Sequence, residues 1–341
     1  MNHSIPAGHG SGDRTPGCRG IRALRALIRV GCLLLGFSVS AVAADRLHLL
    51  IPAGPGGGLD STARALGEAL MSADARSPVS YENMTGGGGG RAMAYFVETA
   101  DRHSRTLLVN STPLIIRSLQ GLFPHDHHDV IPIAGLVGDY GAFVVRADSE
   151  IASWPALLAM LRDRPGAVNV GGGSVRGSLD HIVLALALEA AGIEPRRVRY
   201  LPYDAGGKAM LALLGGEIDV LSTGVGETLG YALAGEVRVL GITAPQRLER
   251  LPDTPTLSGM GTPLVFANWR GVFAAPGTPP ATVAALQADV ARALQTDAWR
   301  QAVERYGWTP LELPGEAFGA YLDTQAARLR AILTELGFIR R

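Results

Sequence analysis

Ile51-Pro52-Ala53-Gly54-Pro55-Gly56-Gly57-Gly58-Leu59-Asp60 joins two stretches of different hydrophobic period. Residues 46–51, ahead of it, read as a strand, and Leu59, Ala63, Leu66 and Leu70, behind it, recur on one helical face. A strand that turns through glycines into a helix is the opening of a βαβ unit. The glycines allow positive φ in the turn and leave the backbone N–H groups of the helix start open to a ligand. Asp60 and Ser61 fall in or just before the first helical turn, placed to cap its free N–H groups.

The same sequence of strand, polar or glycine loop and helix recurs three times. Residues 106–110 read as a strand running into Ser111-Thr112-Pro113, where Ser or Thr can cap and Pro suits the first helical position. Residues 167–170 form a short strand before the loop 171–177, and Leu179, Ile182, Val183, Leu186 and Ala190 make the stripe of a helix starting at Ser178. Residues 218–221 lead through Ser222-Thr223-Gly224-Val225-Gly226 into a helix toward Leu233. The alternation predicts an α/β protein with largely parallel sheets. No fixed-period repeat is present, the prolines at 252, 255, 276, 279 and 280 mark surface connections, and 281–294 and 318–336 read as closing helices.

All four loops leave the carboxyl end of a strand, the side on which open α/β sheets bind ligands. Each helix start there carries unpaired N–H donors and about half a positive charge, so the expected ligand is small and anionic.

The first 44 of the 341 residues are of another kind. Arg14, Arg19, Arg22, Arg25 and Arg29 precede the apolar run 30–42, which ends in Ala41-Val42-Ala43-Ala44, the pattern of a secretory signal cleaved near Ala43 or Ala44. Acylation at Cys32 is the weaker reading, because Arg29 interrupts the apolar stretch it requires. Removal leaves 26 basic against 30 acidic residues and takes both cysteines, Cys18 and Cys32. The mature chain therefore has no thiol chemistry, and its mild negative charge argues against a nucleic-acid partner. Beyond Ala44 no run is long and apolar enough to span a membrane.

Several motifs point to chemistry and then fall short. Gly206-Gly207-Lys208-Ala209 suggests a phosphate loop, yet the required earlier glycine is Pro202 and Ala209 stands where Ser or Thr is needed. His125-Asp126-His127-His128-Asp129 holds metal-ligand types, but consecutive residues rarely converge on one ion, and no metal is expected. Neither a G-x-S-x-G elbow nor H-E-x-x-H occurs, so an exported hydrolase would need Ser174 or Ser178 paired with His181. Arg176 is the nearest possible cation for a multiple anion, although an exposed loop arginine is the plainer reading. Tyr140, Tyr203 and Trp269 read as cleft walls or hinge packing.

Taken in order, these segments resemble the periplasmic substrate-binding proteins of tripartite tricarboxylate transporters, the TctC-like or Bug family, over essentially the whole mature chain. The first glycine loop is similar to the family's P-x-x-P-G-G-G-x-D signature. Glu82-Asn83, Asp139-Tyr140-Gly141 with Val144-Val145-Arg146-Ala147-Asp148-Ser149, the 200–207 stretch, and Trp269-Arg270-Gly271-Val272-Phe273 with Pro276-Gly277-Thr278-Pro279 resemble further landmarks in the expected order. The chain departs from the family pattern in the pure glycine run 86–90 and in Ser222-Thr223-Gly224, where a more acidic or amide-bearing stretch is usual.

The resemblance implies a two-lobed, type II periplasmic-binding-protein fold with the ligand in the cleft: 45–142 and 270–341 in one lobe, 143–269 in the other. Carried over by position, the first lobe would offer Ala53, Gly54, Gly56, Gly57, Gly58, Asp60, Asn83, Ser111 and Thr112 to the ligand. The second would offer Gly173, Ser174, Ser178, His181, Ser222 and Thr223. The implied function is non-enzymatic and needs no cofactor. A monomer would capture a small carboxylate, with citrate or another tricarboxylate leading, and deliver it to two integral membrane components that use an ion gradient. An exported carboxylate sensor docking a membrane signalling protein is the alternative.

Overall fold

Leu47, Leu49 and Ile51 of the first strand enter one buried cluster while Leu50 enters another, the two-residue alternation of a strand covered on both faces. The computed structural model describes residues 46–74 and 78–339; the expected signal segment 1–44, with both cysteines, lies outside them. In chain order the strands are β1 (Leu47–Ile51), β2 (Val79–Asn83), β3 (Thr106–Ser111), β4 (Ile131–Arg146), β5 (Asn169–Gly172), β6 (Arg199–Pro202), β7 (Val220–Gly224), β8 (Val237–Ile242), β9 (Ala267–Ala274) and β10 (Thr309–Pro314). The helices are α1 (Gly58–Ala73), α2 (Gly90–Glu98), α3 (Pro113–Leu119), α4 (Trp154–Asp163), α5 (Leu179–Ala190), α6 (Gly206–Leu214), α7 (Val225–Leu233), α8 (Pro280–Leu294), α9 (Asp297–Tyr306) and α10 (Gly315–Glu335).

The strands form one sheet in the order β2-β1-β3-β9-β4-β7-β5-β6, with β8 and β10 also paired to β4. The parallel expectation holds for β1, β2 and β3 and for β5, β6 and β7, whereas β4 pairs antiparallel with β7, β8, β9 and β10. β4 changes partners along its length: residues up to Tyr140 pair with β9, and from Gly141 onward the partners are β7 and β8. Thr243 fixes that point. Its hydroxyl oxygen accepts the Gly141 N–H at 2.7 Å and donates to the Phe266 carbonyl at 2.6 Å, tying β4 to the chain that leaves β8 and the chain that enters β9.

The core follows this division. Leu47, Leu49 and Ile51 pack with the α1 stripe of Ala63, Leu66 and Leu70 and with Leu286, Val290 and Trp299. Val144, Met210, Leu213, Val225 and Leu229 form a second cluster, and the largest cluster includes Trp154, Phe143 and the α5 stripe. Each large apolar side chain so buried contributes about 1.5–3 kcal/mol. Trp154 is fully buried and satisfies its indole N–H on the Thr262 hydroxyl at 3.0 Å.

The periodicity placed α8, α10 and the Pro113 start of α3 within a few residues. β5 begins two residues later than expected because Pro165–Ala167 is taken up in a 3₁₀ turn. No described helix is long and apolar enough to cross a membrane.

Candidate functional site

The carboxyl ends of β1, β3, β5 and β7 open onto one cavity of about 210 Å³. Its wall carries the first residues of α1, α3, α5 and α6 and, at α7, the cap residue Gly224 with Glu227 of the first turn, so helix starts from both strand groups converge on it. The four loops singled out in the sequence are among them, and α6 adds a fifth start through Ala205 and Gly206.

The glycine loop holds its shape through Asp60. Gly56, at φ +78°, donates its N–H to Asp60 Oδ2 at 3.0 Å. Arg64 and Asn83 donate to the same carboxylate at 3.0–3.1 Å, and Asn83 Nδ2 also reaches the Ala53 carbonyl at 3.0 Å. Burial alone would raise the Asp60 carboxyl, but Arg64, the Gly56 N–H and Asn83 outweigh it and leave it below the ordinary value. Asp60 therefore orders the loop instead of facing the cavity.

Beneath the α1 start lies a buried ion pair. Arg270 on β9 donates to Asp139 on β4 at 2.5 Å, and both residues are nearly inaccessible. The guanidinium also donates to the Thr62 hydroxyl at 3.1 Å and lies 5.3 Å from the Trp308 ring centroid. Asp139 accepts the Gly226 N–H of α7 at 3.1 Å. Burial drives the Asp139 carboxyl up, against the pull of Arg270 and that N–H.

On the opposite wall, Ser174 Oγ accepts the Asp180 N–H at 2.9 Å and so supplies a cap to α5, whereas Ser178, the residue at the cap position, makes no such side-chain bond. Burial, reinforced by the charge of Glu227, raises the Asp180 carboxyl to about 8, with Ser174 and the Gly173 N–H opposing. His181 Nδ1 accepts the Gly177 N–H at 2.9 Å and its ring lies on Tyr200 at 4.6 Å; burial, with Arg176 adding, lowers it to about 4. Among the described residues no hydrogen bond links Ser174 or Ser178 to His181, the pairing a hydrolase would need. Arg176 donates to the Tyr200 carbonyl at 2.5 Å and is not part of the cavity wall.

Of the residues singled out in the sequence, Ala53, Gly57, Gly58, Ser111, Gly173, Ser174, Ser178 and Thr223 line the cavity. Gly54, Gly56, Asp60, Asn83, Thr112, His181 and Ser222 are not part of its wall. Ser222 donates to the Asp180 carbonyl at 2.9 Å, and the Thr112 N–H donates to Asn268 Oδ1 at 3.2 Å. The expected cap at the α3 start is absent: Thr112 has helical φ/ψ, and its buried hydroxyl has no hydrogen-bond partner.

Sequence reasoning missed Asp139, Asp180, Glu227, Arg270, Asn110 and Asn268, all in the wall. Asp139 and Arg270 had a signal, since each is a charge inside an apolar strand run and must find a partner there. Asp180 and Glu227 carry no such signal, since an acid in a first helical turn is ordinary. The run Gly86–Gly89 also lines the cavity, and its composition has a backbone cause: four successive residues stand at positive φ, from 60° to 127°.

The remaining candidates divide between the cavity and other parts of the molecule. Lys208 pairs with Asp204 at 2.9 Å on the surface. His127 and His128 both direct Nε2 at Asp323 Oδ1, at 3.0 and 3.1 Å, apart from the cavity. Trp269 is core, edge-on to Phe318 at 5.6 Å, while Tyr203 lines the cavity and Tyr140 packs behind it.

Comparison with known proteins agrees with this architecture. The chain is 28% identical over 324 residues to protein BugT of Bordetella pertussis, covering 92% of this chain and 98% of that one. A solved TctC solute-binding protein from Polaromonas is 27% identical, with a TM-score of 0.61 over 85% of this chain and 98% of the other. MatC from Rhodopseudomonas palustris, solved with bound malate, superposes with a TM-score of 0.76 over 85% and 99% of the two chains; at 23% identity that likeness bears on the fold alone. The fold is the two-lobed α/β fold of the periplasmic binding proteins, whose members here are receptors and not enzymes. Residues 63–338 match the tripartite tricarboxylate transporter family receptor, and the chain belongs to that family.

Proposed function

We propose that the protein captures a small carboxylate in this cavity, in the periplasm, and as a monomer delivers it to two integral membrane components of a tripartite tricarboxylate transporter. One observation carries the reading: five helix starts drawn from both strand groups line one cavity. A ligand held by both groups binds the closed arrangement better than the open one and shifts the population toward it. In this proposal 45–142 with 270–341 forms one lobe and 143–269 the other, and the partner change of β4 after Tyr140 lies beside the first boundary.

Ala53, Gly57, Gly58, Ser111, Gly173, Ser174, Ser178 and Thr223 are the proposed contacts. Gly54, Gly56, Asp60, Asn83, Thr112, His181 and Ser222 hold those contacts in place. Citrate or another tricarboxylate is the ligand class favoured by the family resemblance, and the malate of MatC supports a dicarboxylate as the nearest competitor. The test is a thermal-shift panel on protein freed of co-purified ligand by unfolding and refolding, with citrate, tricarballylate, malate, succinate and glutamate. A ligand present at 100 times its dissociation constant adds about 2.7 kcal/mol of apparent stability. A shift with the tricarboxylates supports the full reading, a shift with dicarboxylates alone replaces the ligand class, and a flat panel refutes carboxylate capture.

A further inference from the structure

Glu227 places its head group where a ligand carboxylate is expected. It belongs to the first turn of α7, and its Oε1 accepts the Gly58 N–H of α1 at 2.5 Å. Its Oε2 accepts the Thr223 hydroxyl, and a Cβ added to Gly206, the first residue of α6, would collide with the same carboxylate. The side chain thus lies where the starts of α1, α6 and α7 meet. Three positive helix ends favour a negative group there, and a short charge-assisted bond to a backbone N–H is among the stronger kinds of hydrogen bond.

The other charges of the cavity wall sharpen the point. Asp139 from β4 and Arg270 from β9 are bound to each other, Asp180 faces the cavity from α5, and Asp204 ahead of α6 is paired with Lys208. Arg270 is the one cation among the described lining residues. Behind the wall on α1, Asp60 is held by Arg64. A second carboxylate entering the cavity therefore meets the carboxylate of Glu227, an Asp180 that keeps its proton to about pH 8, and no cation without a partner. The raised carboxyl of Asp180, to which Glu227 contributes, is consistent with that crowding.

We propose that Glu227 is a specificity-determining internal counter-ligand: its carboxylate holds the Gly58 N–H in the ligand-free protein, and an incoming carboxylate must take that donor from it. The inference rests on the carboxylate reading above. Affinity is then an exchange of one carboxylate for another, and acids that cannot outbid Glu227 are rejected although the helix starts would accept them.

The experiment is calorimetric titration of malate and of citrate into wild-type protein and Glu227→Gln. The amide keeps the shape of the side chain but is a weaker acceptor without charge, so at least one of the two acids is expected to bind about tenfold tighter or more. Equal or weaker binding to the variant, with measurable binding to the wild type, overturns this inference alone. No binding of either acid to either protein overturns this inference, while the carboxylate reading stands or falls with the thermal-shift panel. Should the variant fail to fold, the amide resonance of Gly58 in ligand-free wild-type protein supplies the decision. It is expected well downfield, where a short bond to a carboxylate places an amide proton, and a resonance at an ordinary amide position overturns the occupancy of the site by Glu227.

Discussion

Asp180→Asn separates the stability of this protein from pH in a window that can be stated in advance. Burial and the charge of Glu227 raise the Asp180 carboxyl from an ordinary 3.8 to about 8. Between those values the folded protein keeps a proton that the unfolded chain has lost, so folding stability falls as pH rises, by up to about 1.4 kcal/mol per unit. The contribution is whole below the unfolded value and gone once pH passes the folded one. The next residue works in the opposite direction: His181 is lowered from 6.5 to about 4, so across that interval the unfolded chain binds a proton the folded one refuses, and stability rises with pH. The two effects offset up to about pH 6.5, above which Asp180 acts alone. From pH 6.5 to 8 the wild type should lose about 2 kcal/mol through Asp180, roughly one and a half units at that slope. Urea unfolding of wild type and Asp180→Asn at pH 6.5, 7.2 and 8.0 measures the difference directly, because every other titrating group is common to both. A stability difference between them that stays constant across the three pH values would refute the assignment of a retained proton to Asp180.

Two further substitutions probe the buried charge beneath the glycine loop. Arg270→Ala leaves Asp139 inside the protein without its partner and should cost about 3–5 kcal/mol in thermal or urea unfolding, with part of that loss recovered when Asp139→Ala is added. Gly58→Ala should destabilise by about 1–3 kcal/mol, even though alanine is the better helix former by about 1 kcal/mol, because the new methyl would strike the Arg270 guanidinium. A rise in melting temperature would show that the guanidinium moves aside freely.

What the sequence made legible depends on how far a residue must look for its partner. The β1 strand, its glycine turn and the α1 stripe could be read because strand period, turn and helix period lie within about 25 consecutive residues. The antiparallel pairing of β4 with β9 could not, since Gly135 meets Gly271 across the whole second strand group and nothing in either segment records direction. The candidate site divides in the same way. Gly57, Gly58, Ser174 and Ser178 announce themselves by residue type, because a loop that offers backbone donors needs small residues wherever it lies. The charged residues in the wall are defined by distant partners: Asp139 and Arg270 are 131 positions apart, and Glu227 reaches Gly58 across 169. Counting helix starts predicts an anion, but the count treats every start as vacant, and here the chain directs one of its own carboxylates at the α1 start. The selectivity of such a cavity then follows from the charges already seated in it, Glu227 against an Arg270 engaged by Asp139, more than from the number of donors that surround them.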